Sequence, residues 1–154
     1  MGFSGPGIYE IVPYQAPNLS MNAWDGLMQA GAEVKTYNRN QDDPSTNALW
    51  QLALVSGSGD SGEYLIINVR TGFFLTATSD KKVTTTPQIS PTDPSCHWTI
   101  KSMPANGYDV YTVNNKVSSR GQLNVTGSSN KSGTEIIAWP IENTDNTKWY
   151  FESH

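Results

Sequence analysis

Hydrophobic positions in this chain come in short bursts, each alternating with polar residues, and the bursts recur in three copies. The segments Asn47-Ala48-Leu49-Trp50-Gln51-Leu52, Ser95-Cys96-His97-Trp98-Thr99-Ile100 and Asn146-Thr147-Lys148-Trp149-Tyr150-Phe151 each carry a Trp followed, two positions on, by a bulky apolar residue. Their Trp residues lie 48 and 51 residues apart. An alternation of period two predicts a half-buried strand. Upstream of each Trp, three further strands are predicted. First strands fall at 9–12, 64–67 and 108–111, each opening on a Tyr. Second strands fall at 19–24, 73–78 and 122–126, and third strands at 33–37, 82–86 and 135–139. Turn-forming residues separate them, among them Asp25-Gly26 and the run Gly57-Ser58-Gly59-Asp60-Ser61-Gly62. No stretch carries a helical apolar period of useful length.

Four strands in each of three copies predict an all-β fold, a β-trefoil in which a six-stranded barrel is capped by three hairpins and each copy lends one Trp to a shared core. The chain of 154 residues suits one domain, 1–154, with repeats of about 1–54, 55–102 and 103–154. A β-sandwich with Trp spacing by chance is the plainer alternative.

Charge and composition narrow the function. Net charge is −4, charged residues make up 16%, and Lys and Arg form no cluster. A nucleic-acid partner is disfavoured, because phosphate binding needs a concentrated basic face. No apolar run is long enough to span a bilayer, so no membrane insertion is expected. The first residues lack the basic-then-apolar pattern of a signal peptide. The one cysteine, Cys96, cannot form an intrachain disulfide. Both features favour a cytoplasmic location. Catalysis is also disfavoured. The two histidines are His97, beside Trp98, and His154. Cys96 and His97 are strand neighbours and point to opposite faces, so they cannot serve as nucleophile and base. No metal-ligand spacing or phosphate-binding loop occurs, and no cofactor is expected.

Candidate binding residues emerge from comparing repeats one and three. Gly31-Ala32-Glu33-Val34-Lys35-Thr36-Tyr37 parallels Gly133-Thr134-Glu135-Ile136-Ile137-Ala138-Trp139, which sets Tyr37 against Trp139. Asn22 matches Asn124, and Asn47 and Asn146 each stand three residues before a repeat Trp. Each of these repeats therefore offers Asn, aromatic, Asn, whereas repeat two offers Thr76, Thr86 and Ser95 and reads as structural. Trp24 is a further tryptophan not needed by the core pattern. An aromatic ring stacks on the apolar C–H face of a pyranose, and an amide both donates to and accepts from its hydroxyls. Neutral groups around one aromatic wall suit an uncharged ligand. Asn18, Asn38, Asn40 and Asn106 read as turn residues. Asn18, Asn124 and Asn130 also stand in N-glycosylation sequons, and a glycan on Asn124 would obstruct the third-repeat site.

The Asn-x-x-Trp ends of repeats one and three resemble the Gln-x-Trp repeat of ricin-type β-trefoil lectins. The stretches 9–17, 57–61, 86–94 and 148–151 are similar to a fungal branch of that family, with likeness nearly end to end. The resemblance implies a cytosolic, homodimeric lectin for galactose and N-acetylgalactosamine. It places the principal site in the first repeat, on Asn22, Trp24, Asp25, Gly26, Tyr37 and Asn47, with Trp24 as a wall. Ricin-type sites generally carry Asp where this chain has Asn22, which leaves the partner of the axial hydroxyl open and Asp25 as a candidate. Asn124, Trp139 and Asn146 form a secondary or vestigial site, where Thr126 replaces Trp24. The rival reading is a β-trefoil protease inhibitor presenting the proline-bearing segment 86–95, which otherwise reads as a rigid connector.

Overall fold

The computed structural model describes residues 2–87, 90 and 92–154. The strands β1 (Gly7–Pro13), β2 (Leu19–Ala23), β3 (Ala32–Asn38) and β4 (Leu49–Ser56) make the first repeat. The second has β5 (Glu63–Asn68), β6 (Phe74–Ala77), β7 (Val83–Thr86) and β8 (His97–Ser102). The third has β9 (Tyr111–Asn115), β10 (Gln122–Val125), β11 (Ile136–Trp139) and β12 (Trp149–Ser153). First and fourth strands pair in a ring, β1–β4–β5–β8–β9–β12 and back to β1, all antiparallel. Closure leaves that ring no unpaired edge. Second and third strands form the hairpins β2–β3, β6–β7 and β10–β11. The pairing of β3 with β7 and the bridges Lys35–Glu135 and Lys82–Ile137 tie the hairpins to one another. This is the β-trefoil.

The alternation sets the core. Trp50, Trp98 and Trp149 are fully buried, as are Leu52, Ile100 and Phe151 two positions on or nearly so. A buried indole N–H needs an acceptor. Each of the three donates to a main-chain carbonyl of its own repeat's second strand: Met21 O at 3.0 Å, Leu75 O at 2.9 Å and Leu123 O at 3.3 Å. The same bond made three times locks each hairpin onto its barrel strand. Phe3 packs among the rings of Tyr9, Tyr64, Tyr111 and Phe151, with centroids 5.1–6.0 Å away.

One predicted strand is corrected. The third repeat's first strand begins at Tyr111, not at Tyr108. Ala105 and Tyr108 instead exchange main-chain hydrogen bonds across Asn106-Gly107, both at positive φ, in a two-residue hairpin turn. Tyr111, not Tyr108, is the counterpart of Tyr9 and Tyr64 around Phe3. The other first, second and third strands agree with prediction to within one residue at their ends or extend beyond it, whereas the segments opening on Asn47, Ser95 and Asn146 begin in 3₁₀ turns, the second of which holds Cys96, and β4, β8 and β12 start two or three residues later at Leu49, His97 and Trp149.

Candidate functional site

The first-repeat candidates come from three separate elements. Asn22 sits on β2, facing Lys35 of β3, and Tyr37 lies near the end of β3 opposite Ser20. Trp24, Asp25 and Gly26 form a 3₁₀ turn directly after β2. Asn47 occupies a second 3₁₀ turn, Thr46–Ala48, whose entry is capped by Ser45. The Ser45 hydroxyl accepts from Asn47 N at 3.3 Å, and Asn68 of the second repeat donates to Asn47 O at 2.9 Å. Together Asn22, Trp24, Asp25, Tyr37, Ser45 and Asn47 line a hollow of about 440 Å³. Gly26 borders it. A Cβ there would stand 3.0 Å from Asn47 Oδ1 and 3.1 Å from Arg70 Nε, so glycine keeps the space beside the Asn47 amide open.

The polar groups of this hollow are unspent. Asn22 is only 7% exposed, yet its amide makes no hydrogen bond to the described residues and is not sealed from the hollow. A buried amide without a partner is costly, roughly 1–3 kcal/mol, unless solvent or a ligand supplies one. The side chains of Asp25 and Asn47 likewise make no hydrogen bond within the described protein. Asp25 adopts left-handed φ/ψ of 57° and 9°, a conformation tolerated by Asp but uncommon outside glycine. Such backbone strain tends to collect at functional positions. Tyr37 is 49% exposed and meets Trp24 edge-on, centroids 5.9 Å apart. The Lys35 ammonium lies 4.8 Å from the Trp24 ring centroid and 3.1 Å from Glu33, so its charge is balanced beside the hollow.

The third-repeat candidates are also brought together, around a hollow of about 280 Å³ lined by Asn124, Thr126, Trp139, Asn146 and Glu142 among others. Here the amides are committed. Asn146 Nδ2 donates to Asn124 Oδ1 at 3.1 Å and to Val125 O at 3.2 Å, and Asn124 Nδ2 donates to Glu142 Oε1 at 3.2 Å. The Thr144 hydroxyl bonds both Asn146 and Glu142. Thr126 donates to Glu135 O at 2.8 Å and raises no wall where Trp24 stands in the first repeat. Lys81, from the second-repeat hairpin, places its ammonium 4.8 Å from the Trp139 ring centroid.

The sequence model described as "Ricin-type beta-trefoil lectin domain-like" matches residues 46–139. The chain is 58% identical to an agglutinin of Sclerotinia sclerotiorum over 153 residues, 99% of each chain. It belongs to the ricin-type β-trefoil lectins. The solved agglutinin of Rhizoctonia solani shares the fold at TM-score 0.77 and 18% identity, covering 99% of this chain and 98% of that one. So does the C-half of an earthworm R-type lectin, solved in complex with GalNAc, at TM-score 0.70 and 19% identity, covering 97% and 100%. The chain is a carbohydrate-binding lectin and not an enzyme.

Other features of the lectin fit that assignment. In the second repeat the Thr76 and Thr86 hydroxyls bond each other at 3.0 Å, and Ser95 bonds Asp93, so the equivalent positions satisfy themselves. Cys96 is buried against Thr76, and burial pushes its thiol pKa up, away from a reactive thiolate. His97 turns instead to Glu63, whose carboxyl is held below the usual range first by the Lys116 ammonium and then by His97. Of the segment 86–95 proposed for an inhibitor, residues 88, 89 and 91 lie outside the described residues. Asp93 caps the turn that follows.

Two polar lining residues, Ser45 and Glu142, escaped the sequence comparison. Ser45 stands two residues before Asn47, as Thr144 stands two before Asn146, and each opens the 3₁₀ turn that carries its Asn, so extending the repeat comparison two residues upstream would have found it. Glu142, three residues after Trp139, carries the carboxylate of the third hollow, and a search for acidic residues just beyond each paired aromatic would have found it.

Proposed function

We propose that this lectin binds terminal galactose or N-acetylgalactosamine through its first repeat, with a secondary site in the third. One observation carries the reading: Asn22, Asp25 and Asn47 converge with unspent hydrogen-bonding capacity beside the half-exposed ring of Tyr37. The Tyr37 face would cover the C–H face of the pyranose, while the amides and the Asp25 carboxylate take the hydroxyl edge. Asp25 then supplies the carboxylate missing at Asn22. The complex of the earthworm lectin with GalNAc supports the choice of sugar. The third repeat is the weaker site, because its amides are bonded to each other and to Glu142 and it lacks the Trp wall.

Affinity per site is low, because hydroxyls exchange water for protein at small net gain. We therefore propose a homodimer, which presents the principal site twice and gains by avidity. The single cysteine suits a reducing compartment, and we place the lectin in the cytoplasm. Sizing chromatography should give twice the 16.9 kDa chain mass; a monomer at micromolar concentration contradicts the dimer.

Calorimetric titration with N-acetylgalactosamine tests the site. Losing one amide hydrogen bond in Asn47→Ala should weaken binding about 2- to 13-fold, from roughly 0.5–1.5 kcal/mol. Tyr37→Ala loses the half of the ring a sugar would cover plus its quadrupole contact, roughly 1.5–2 kcal/mol, or about 10- to 30-fold. Wild-type affinity in both variants refutes the first-repeat site.

A further inference from the structure

Three tyrosines at the end of the barrel away from the hairpins are satisfied unequally. Tyr9, Tyr64 and Tyr111 take equivalent places on β1, β5 and β9 around Phe3. The N-terminal segment bonds two of their hydroxyls: Tyr9 donates to Gly5 O at 2.8 Å, and Tyr111 accepts from Phe3 N at 3.0 Å. The third is left over. Tyr64 is 3% exposed, yet its hydroxyl has no hydrogen bond to the described protein and is not sealed off. A buried hydroxyl in that condition calls for a partner from outside. Tyr64 lines a hollow of about 540 Å³. We propose that this hollow is a ligand site separate from the sugar sites, and that it takes a small organic cation, an apolar ring or short alkyl body carrying a primary ammonium group.

The fold accounts for its position. Each hairpin leaves its repeat between the end of the first strand and the start of the fourth, so the hairpins gather at one end of the barrel. First strands start and fourth strands end at the other, where the N-terminal segment and the 3₁₀ turn Gly59–Ser61 border the hollow. Phe3, Leu54, Ile100 and Tyr111 give it apolar walls, and its volume falls in the range of about 300–1,000 Å³ that holds small molecules. Gly62 protects that space. A Cβ there would stand 2.9 Å from Cε2 of Tyr64 and 3.2 Å from its hydroxyl, so any larger residue would push the ring aside.

Asp60 sets the charge of the ligand. It is the one charged residue that lines the hollow, and it forms no ion pair within the described protein. Its Oδ1 accepts from Ser102 N at 3.1 Å, which pins the turn to the end of β8, while Oδ2 is unspent. The side-chain hydroxyls of Ser58 and Ser102 are unbonded as well. An ammonium group can donate to the Asp60 carboxylate and to the Tyr64 oxygen while the body of the ligand covers the apolar walls. An anion meets a like charge and no cation. The glycine-rich run 57–62, which in the sequence marks only a turn, thus supplies both the carboxylate and the room for the Tyr64 ring.

The test is a heteronuclear NMR titration of the intact lectin at low salt with 2-phenylethylamine, 2-phenylethanol and phenylacetate, which share a ring and differ in charge. The amine should bind with a dissociation constant on the order of millimolar. It should shift residues 3–6, 58–64 and 100–102 and leave Trp24, Tyr37 and Trp139 unmoved. Attraction to the exposed Asp60 should make the amine about 2- to 5-fold tighter than the alcohol, with phenylacetate weaker than both. Asp60→Asn, which keeps Oδ1 for Ser102, should abolish that preference. Tyr64→Phe removes a hydroxyl the fold does not use, so it should weaken the amine about 2- to 13-fold and leave the thermal midpoint unchanged. No saturable shift up to about 20 mM amine, or shifts centred on the sugar hollows, overturns the site. Phenylacetate binding as tightly as the amine, a preference that survives Asp60→Asn, or amine affinity that survives Tyr64→Phe overturns the assignment of its ligand.

Discussion

Removing Arg39 should destabilise this lectin more than almost any other surface-proximal change. Glu10 lies in the middle of β1 with its side chain 1% exposed, and Arg39 follows β3 with its own side chain 9% exposed. Arg39 Nε donates to both Glu10 oxygens, at 3.3 and 3.2 Å, and Nη2 donates to Oε1 at 3.0 Å. Breaking a buried pair from one side leaves an uncompensated charge, typically costing 3–5 kcal/mol. His154 stays 3.3 Å from Oε1 and offers partial compensation, which sets the expectation for Arg39→Met at about 3 kcal/mol, the lower end of that range. With a urea m-value of about 2 kcal/mol/M, the midpoint should fall by roughly 1.5 M. Replacing both partners, as Glu10→Leu with Arg39→Met, removes the stranded charge and should recover most of the loss, because apolar replacement of a whole buried pair is often close to neutral. A single-variant cost below about 1 kcal/mol, or a double variant no more stable than the single one, refutes the argument that desolvation dominates here.

Two further outcomes follow from the same packing. Lys116 is the main cause of the lowered Glu63 pKa. A depressed carboxylate contributes stability above its unfolded value of about 4.3 and loses it as pH falls through the folded value, so the stability deficit of Lys116→Met should be present at pH 7 and shrink below about pH 4; a deficit unchanged down to pH 3 excludes this linkage. Phe3→Ala removes a ring held by four aromatic neighbours and should cost about 2 kcal/mol, less than the 3–5 typical of fully buried rings because Phe3 is partly exposed; an unchanged thermal midpoint shows that the N-terminal segment is not docked there in solution.

Alternation around Trp50, Trp98 and Trp149 marked the fourth strands, and repetition of the segments before them marked the other strands and the threefold arrangement; most of these strands bury alternate residues on one face of the pleat, while β2 and β10 are buried along their whole length. The pairing of Tyr37 with Trp139, and of Asn22 and Asn47 with Asn124 and Asn146, was legible for a related reason: repeats that occupy equivalent places keep equivalent spacing. Where the spacing argument failed, at Tyr108, a local Asn-Gly turn outweighed the match to earlier repeats. Residue identity alone did not separate the two candidate sites. Asn124 and Asn146 look like Asn22 and Asn47 in the chain, yet one pair is consumed by Glu142 and by each other while the other is left open. That difference depends on side chains brought together from 18 to 22 residues away. Strand pattern is a property of neighbours along the chain; hydrogen-bond vacancy is a property of neighbours in space, and only the folded chain decides it.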